Sequence, residues 1–272
     1  MLENYLERIA QPTLSSRRDG LLTSLKAIGV DFEIRKEAVD GHNLINITVP
    51  MHHNEMPYIL VTSNYDSTMG SPGANNNAAA VAISLGILRV FHFIRGRKKQ
   101  PLPLEFAFFD GHHQHMLGSQ VFARKIKPEN IHMVINLDLC GIGDMVLLSA
   151  GKYVANSNAE KAIRRLENSP HQFSLRMVDI LPPSNEHPFE ELKIPTASIC
   201  AAPEDDIVPI VGLAVSLQND ENIALLPGVY QGVHRPELDT LDTVGIDAMR
   251  QVMLIVNSLI SNMLNVIKAD WK

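Results

Sequence analysis

The chain has 272 residues, 45% of them hydrophobic and 20% charged. That balance is ordinary for a globular protein with a sizeable core, and it excludes disorder, a collagen-like repeat and a coiled coil. The 24 Lys and Arg against 30 Asp and Glu leave a formal charge of −6, and the densest basic run (Arg95, Arg97, Lys98, Lys99) is short, so nucleic acid is not an expected partner. Cys140 and Cys200 stand alone without a CxxC pair, which argues against a thiolate metal site and a disulfide framework. The opening MLENYLERIAQP lacks the layout of a signal peptide, and no apolar run reaches the ~20 residues of a membrane span. These readings predict a cytoplasmic protein with no membrane association.

Residues 1–28 have a helical pattern. Leu2, Tyr5, Leu6 and Ile9 form one stripe, Leu21, Leu22, Leu25 and Ile28 another, and Gly29 stops the second helix. Two strands, roughly 31–38 and 43–50, are joined at Asp40-Gly41, a hairpin signal. A solidly apolar strand at 58–63 ends in the polar stretch Asn64-Tyr65-Asp66-Ser67, and a helix is predicted from about Asn77 to Ile94. The strand Leu104–Phe109 meets Asp110-Gly111-His112-His113-Gln114-His115, and a helix then runs to about Lys125. Val134–Leu137 is a strand closed by Asp138. Two further strands, 145–149 and 196–201, flank a charged helix at 159–168, and a long amphipathic helix at 246–267 closes the chain. Strand and helix in alternation imply an α/β fold with a mostly parallel sheet in a single domain over 1–272, the opening helices packed on it. The polar clusters fall just after strands, where open α/β sheets place their ligands.

The clusters, in this order, resemble peptidase family M28, the zinc aminopeptidases, over roughly residues 20–268. The family's His-x-Asp-Ser corresponds to Asn64–Ser67, its Pro-Gly-Ala-Asp-Asp-Asn turn to Pro72–Asn77, and its Phe-Phe-Asp-Gly-Glu-Glu-x-Gly-Leu-x-Gly-Ser to Phe108–Ser119. Its Asn-Leu-Asp-Met corresponds to Asn136–Leu139, its Ser-Asp-His-x-Pro-Phe to Ser184–Phe189, and its His-x-Pro-x-Asp-Thr to His234–Thr240 with one extra residue. The resemblance implies a mostly parallel mixed sheet flanked by helices, the zinc aminopeptidase/phosphorylase-hydrolase-like sandwich.

Carried over position by position, the family's zinc-binding His is Asn64, its bridging Asp is Asn76, its general base Glu is His112 and its ligand Glu is His113. Only Asp138 and His234 keep the family's residue type, and the Ser-Asp-His segment reads Ser184-Asn185-Glu186. Two zinc ions place four positive charges within about 4 Å of each other, so carboxylates must offset that charge and one must bridge. An Asn amide is a poor substitute, because zinc sites draw on His, Cys, Asp and Glu. The five ligand positions here carry one negative charge between them. The reading therefore expects no metal or a single zinc ion, and not a pair.

Three functions fit these substitutions. The first is an inactive aminopeptidase-like binding or scaffold module that takes a peptide or small-molecule ligand. The second is a single-metal hydrolase of peptide or amide bonds. There His113 and His234, which share one zinc in the family, bind with Asp138, and His112 is the base, since imidazole titrates near neutrality. The third is metal-free chemistry or small-ligand binding by the His and Asn cluster. Blander roles accompany each residue. Asn75, Asn76 and Asn77 suit a turn and helix N-cap, Asp66 and Asp138 suit strand-end capping, Gly73 and Gly111 suit tight turns, and His112, His113 and His115 suit a surface loop. Asp66, Asn77 and Glu186 are expected to support the pocket. The sequence leaves the oligomeric state open.

Overall fold

The opening apolar stripe folds as α1 (Leu2–Ile9) in the computed structural model, which describes residues 1–53, 56–98, 100–169, 174–219, 227–230 and 235–270. In α2 (Leu14–Ile28) the Thr13 hydroxyl accepts from the Ser16 amide as N-cap, and Gly29 ends the helix at φ 83° while its N–H donates to the carbonyls of Leu25 and Lys26. The hairpin of β1 (Glu33–Val39) and β2 (His42–Pro50) turns at Asp40 (φ 50°) and Gly41 (φ 81°), the paired positive φ that a two-residue hairpin loop demands.

Next come β3 (Tyr58–Asn64), β4 (Leu104–Phe109), β5 (Ile131–Leu137), β6 (Met145–Ala150), β7 (Leu175–Val178) and β8 (Thr196–Ala202). They complete one sheet in the order β1-β2-β4-β3-β5-β8-β6-β7. The central neighbours β4, β3, β5 and β8 run parallel, so their carboxyl ends open on one edge. β3 and β4 are buried along their whole length, which explains their unbroken apolar sequence: a strand covered on both faces needs no alternation.

The larger core packs one face of the sheet against α1, α2, α3 (Ala79–Lys98), α5 (Asn158–Glu167) and α8 (Ile246–Asp270). On the other face Phe109 meets Phe122 of α4 (Leu117–Ala123) and Phe189 of α6 (His187–Glu191). α7 (Ile207–Gln218) seats Ile210 with Leu147, Cys200 and Val229. Both cysteines are free and buried, and burial raises their thiol pKa values, which keeps them unreactive.

Several sequence expectations need correcting. The helices over 74–97 and 246–269 are long and apolar enough to cross a membrane, contrary to the sequence reading, and the fold buries 72% and 50% of their apolar windows as core. The helix expected after His115 begins at Leu117, held off by the left-handed His115 (φ 55°) and Met116 (φ 61°), and ends at Ala123, two residues before the expected Lys125. The helix expected from Asn77 begins at Ala79 after a tight turn over Ala74–Ala78, whose Asn76–Asn77 peptide is cis. β7 and α7 went unread. β7 is short and half-exposed, and α7 (IVPIVGLAVSLQ) has no polar face to set a helical period.

Candidate functional site

The carboxyl ends of β3, β4 and β5 deliver Asn64, the Asp110–His113 turn and Asp138 to one edge of the sheet. Asn64 lies at the centre of a lattice of buried amides. Its Oδ1 accepts from Asn77 Nδ2 at 2.9 Å and from Asn185 Nδ2 at 3.2 Å, and its own Nδ2 donates to Asp66 Oδ1 at 3.1 Å and to the Asp66 carbonyl at 3.3 Å. Both ends of that amide are thus fully used. Asn77 ties the lattice to β5, donating to the Leu137 carbonyl and accepting from the Leu139 amide at 3.1 Å, which steadies Leu139 in its left-handed conformation (φ 51°). Asn185 Oδ1 in turn meets His112 Nδ1 at 3.3 Å.

Behind the lattice lies an ionic frame that joins distant parts of the chain. Asp66 Oδ2 accepts from the His113 amide at 3.1 Å, which sets the turn after β4 against the end of β3. Asp239 holds the turn before α3: its carboxylate accepts from the amides of Asn75 (2.6 Å) and Asn76 (3.1 Å). Arg17 of α2, 1% exposed, donates to the carbonyls of Tyr65, Pro72 and Gly73, and its charge faces those of Asp66 and Asp239. Burial lowers its guanidinium pKa to about 10, which still leaves it charged at neutral pH. Gly73 (φ 62°) is required beside it, because a Cβ there would come within 2.2 Å of Ser67 Oγ and 2.6 Å of the Arg17 guanidinium.

Asp138 accepts from the Ser184 hydroxyl at 2.7 Å through Oδ2, while its buried Oδ1 has no hydrogen-bond partner among the described residues. His113 sits beside Asp66, Asp138 and His112. Burial is the largest influence on its ring and lowers its pKa, so the imidazole is neutral at pH 7. Asn76 faces a cleft of about 370 Å³, whose lining includes Asn75, Glu237, Asp239, Thr240 and Ile142. His234 lies outside the described residues. Among the described residues, no three His, Cys, Asp or Glu side chains gather as a metal-binding group.

Glu186 is buried beneath the site. It accepts from Asn136 Nδ2 at 2.7 Å and from the Ser184 amide at 3.0 Å, and burial outweighs the backbone hydrogen bonds to push its carboxyl up to about 7. A carboxyl raised above its unfolded value of about 4.3 binds more protons folded than unfolded between the two values. Stability therefore falls as pH rises through that window, by an amount on the order of 3 kcal/mol. Glu186→Gln should flatten this decline, and thermal melts of both proteins at pH 5 and pH 8 check it: equal declines would contradict the assignment.

A profile of peptidase family M28 matches residues 43–225. The chain belongs to peptidase family M28. It is 30% identical over 146 residues to the putative endoplasmic reticulum metallopeptidase 1 of Schizosaccharomyces pombe, covering 50% of this chain and 16% of that protein. It is 28% identical over 104 residues to aminopeptidase YwaD of Bacillus subtilis, covering 37% of this chain and 22% of that one. The chain spans between 16% and 25% of the length of the curated relatives it matches. Among solved structures it resembles BSAP, a zinc aminopeptidase from Bacillus subtilis, with a TM-score of 0.59 and 19% identity over 82% of this chain and 51% of that one. It also resembles an Acidobacteriales bacterium glutaminyl cyclase, with a TM-score of 0.68 and 16% identity over 98% of this chain and 93% of the other. At these identities the structural likeness establishes the fold.

Within that fold, sequence reasoning singled out Asn64, Asp66, Asn76, Asn77, His112, His113, Asp138 and Glu186. The hydrogen bonds link Asn64, Asp66, Asn77, His112 and the His113 backbone into one group. Asp138 joins Glu186 through Ser184, and Asn76 stands at the cleft. The reasoning missed Arg17 and the supporting roles of Asn136 and Asp239, although these two lie inside the quoted Asn136–Leu139 and His234–Thr240 segments.

Proposed function

We propose that this M28-family chain is a binding or scaffold module that takes a peptide or small-molecule ligand at its strand ends and lacks two-zinc hydrolysis. The observation that carries the reading is the amide of Asn64. It stands where the family resemblance implies a zinc-binding His, and its hydrogen bonds are all made within the protein. The remaining donors do not fit two zinc ions: Asn76 replaces the bridging carboxylate, His113 replaces a ligand Glu, and one carboxylate, Asp138, is left to balance four positive charges. His112 stands at the base position with one ring nitrogen against Asn185. A ligand bearing N–H donors suits the carboxylate-lined cleft over Asn76, as a peptide amine or amide would. Cytoplasmic residence belongs to the same proposal and rests on composition.

A second reading has one specific observation in its favour. The His113 ring is neutral and the buried Asp138 Oδ1 has no hydrogen-bond partner among the described residues, and with His234 they would form a two-His, one-carboxylate set for a single zinc. Such a metal would supply a polarised water, and His112 would hold the proton taken from it. Cleavage of an amino-acid anilide separates the two readings. The binding-module proposal predicts no turnover with or without added zinc. Zinc-dependent cleavage that His112→Ala abolishes would overturn it in favour of the single-metal hydrolase.

A further inference from the structure

Helix α7 has an apolar face that none of the described residues covers. Its twelve residues carry no charge. Ile210, Leu213 and Ala214 point into the core, and at 100° per residue Val208, Val211, Gly212 and Val215 fall together on the opposite side. Val208 is 80% exposed and Val215 43%, and a Cβ on Gly212 would meet no atom within 4 Å. A helix that is apolar all round is ordinarily enclosed, and the described residues enclose this one on one side only.

The charge around the face indicates its occupant. Between Lys193 and Arg235 the sequence has no Lys or Arg, while Glu204, Asp205, Asp206, Asp220 and Glu221 all occur there. Glu204 and Asp205 are exposed at the start of α7, with no ion pair among the described residues. Asp206 turns inward and accepts from the Val229 amide at 3.0 Å. An anionic membrane would be repelled by the exposed Glu204 and Asp205, and a second copy pairing α7 in parallel would set these acids against each other. Apolar side chains edged by carboxylates match a segment edged by cations.

We infer that the outer face of α7 docks a partner polypeptide whose apolar helical side is flanked by Lys or Arg. The inference does not depend on what the cleft binds.

The test uses a labelled amphipathic Leu/Lys peptide of about 18 residues, five helical turns, and its Leu/Glu counterpart, with binding read by fluorescence anisotropy. The Leu/Lys peptide should bind and the Leu/Glu peptide should not. The pair Val208→Asp, Val215→Asp should weaken binding by about tenfold or more even though it adds negative charge, and the neutral pair Val208→Ser, Val215→Ser should weaken it as well. These positions are exposed, so circular dichroism melts should match wild type. Equal or tighter binding to the Asp variant would reduce the effect to bulk charge and overturn the inference. Self-association in light scattering that Val208→Asp abolishes would overturn it by assigning the face to a second copy. Sedimentation with anionic phosphatidylserine vesicles that the same variant abolishes would overturn it by assigning the face to a membrane.

Discussion

Replacing Arg17 with alanine should lower stability by about 3–5 kcal/mol, the loss typical of removing one partner from a buried ionic group. The guanidinium donates to the carbonyls of Tyr65, Pro72 and Gly73 and faces two buried carboxylates. Its removal leaves those carbonyls without their donor, and Asp66 and Asp239 lose the cation that offsets them. The damage should reach the site, since Asp66 fixes the His113 turn and Asp239 fixes the amides of Asn75 and Asn76. Arg17→Lys keeps the charge but cannot serve several carbonyls with one planar fork, so it should fall between wild type and alanine. Urea unfolding of the three proteins checks the order. A loss below about 1 kcal/mol in the alanine variant would mean that the frame is not held by this side chain.

The second large effect is a gain. The double change Asn76→Asp with His113→Glu returns two carboxylates to positions where the family resemblance implies ligands, and should raise zinc affinity by about a hundredfold or more. Each anionic ligand lowers the electrostatic cost of holding the ion, and changes in a metal's surroundings are commonly worth 10–100-fold. The remaining affinity should weaken as pH falls through the imidazole range, because a protonated His234 cannot ligate. Titration calorimetry on wild type and variant gives the comparison. Equal affinities would show that the pocket is no longer arranged around a metal, which strengthens the binding-module reading and rejects this prediction.

Legibility followed the range of the interactions. β4 is Leu104–Phe109 in both readings, because a fully covered parallel strand announces itself as an apolar run ending at a polar turn. The hairpin at Asp40-Gly41 and the stop at Gly29 follow from local backbone preferences and were equally readable. The order of the motifs located Asn64, His112 and Asp138 at strand ends. Arg17 was not readable, because an arginine in the polar sequence LSSRRDG looks like a solvated surface residue until residues 65–73 come to rest on it. Asn136 stood in a quoted motif, but its pairing was hidden for a related reason: its partner, Glu186, is 50 residues away. His115 occupies the glycine position of the family pattern in a left-handed conformation, so the backbone before α4 had a sequence cue in that pattern, although histidine itself gives no such signal.

The central claim is that neutral side chains have replaced the donors two zinc ions require. Its most direct test is the zinc content of wild-type protein purified without chelator, equilibrated with zinc, freed of excess metal and measured by elemental analysis against protein concentration. The donor set predicts at most one zinc ion per chain. Two zinc ions retained stoichiometrically by each chain would contradict the account.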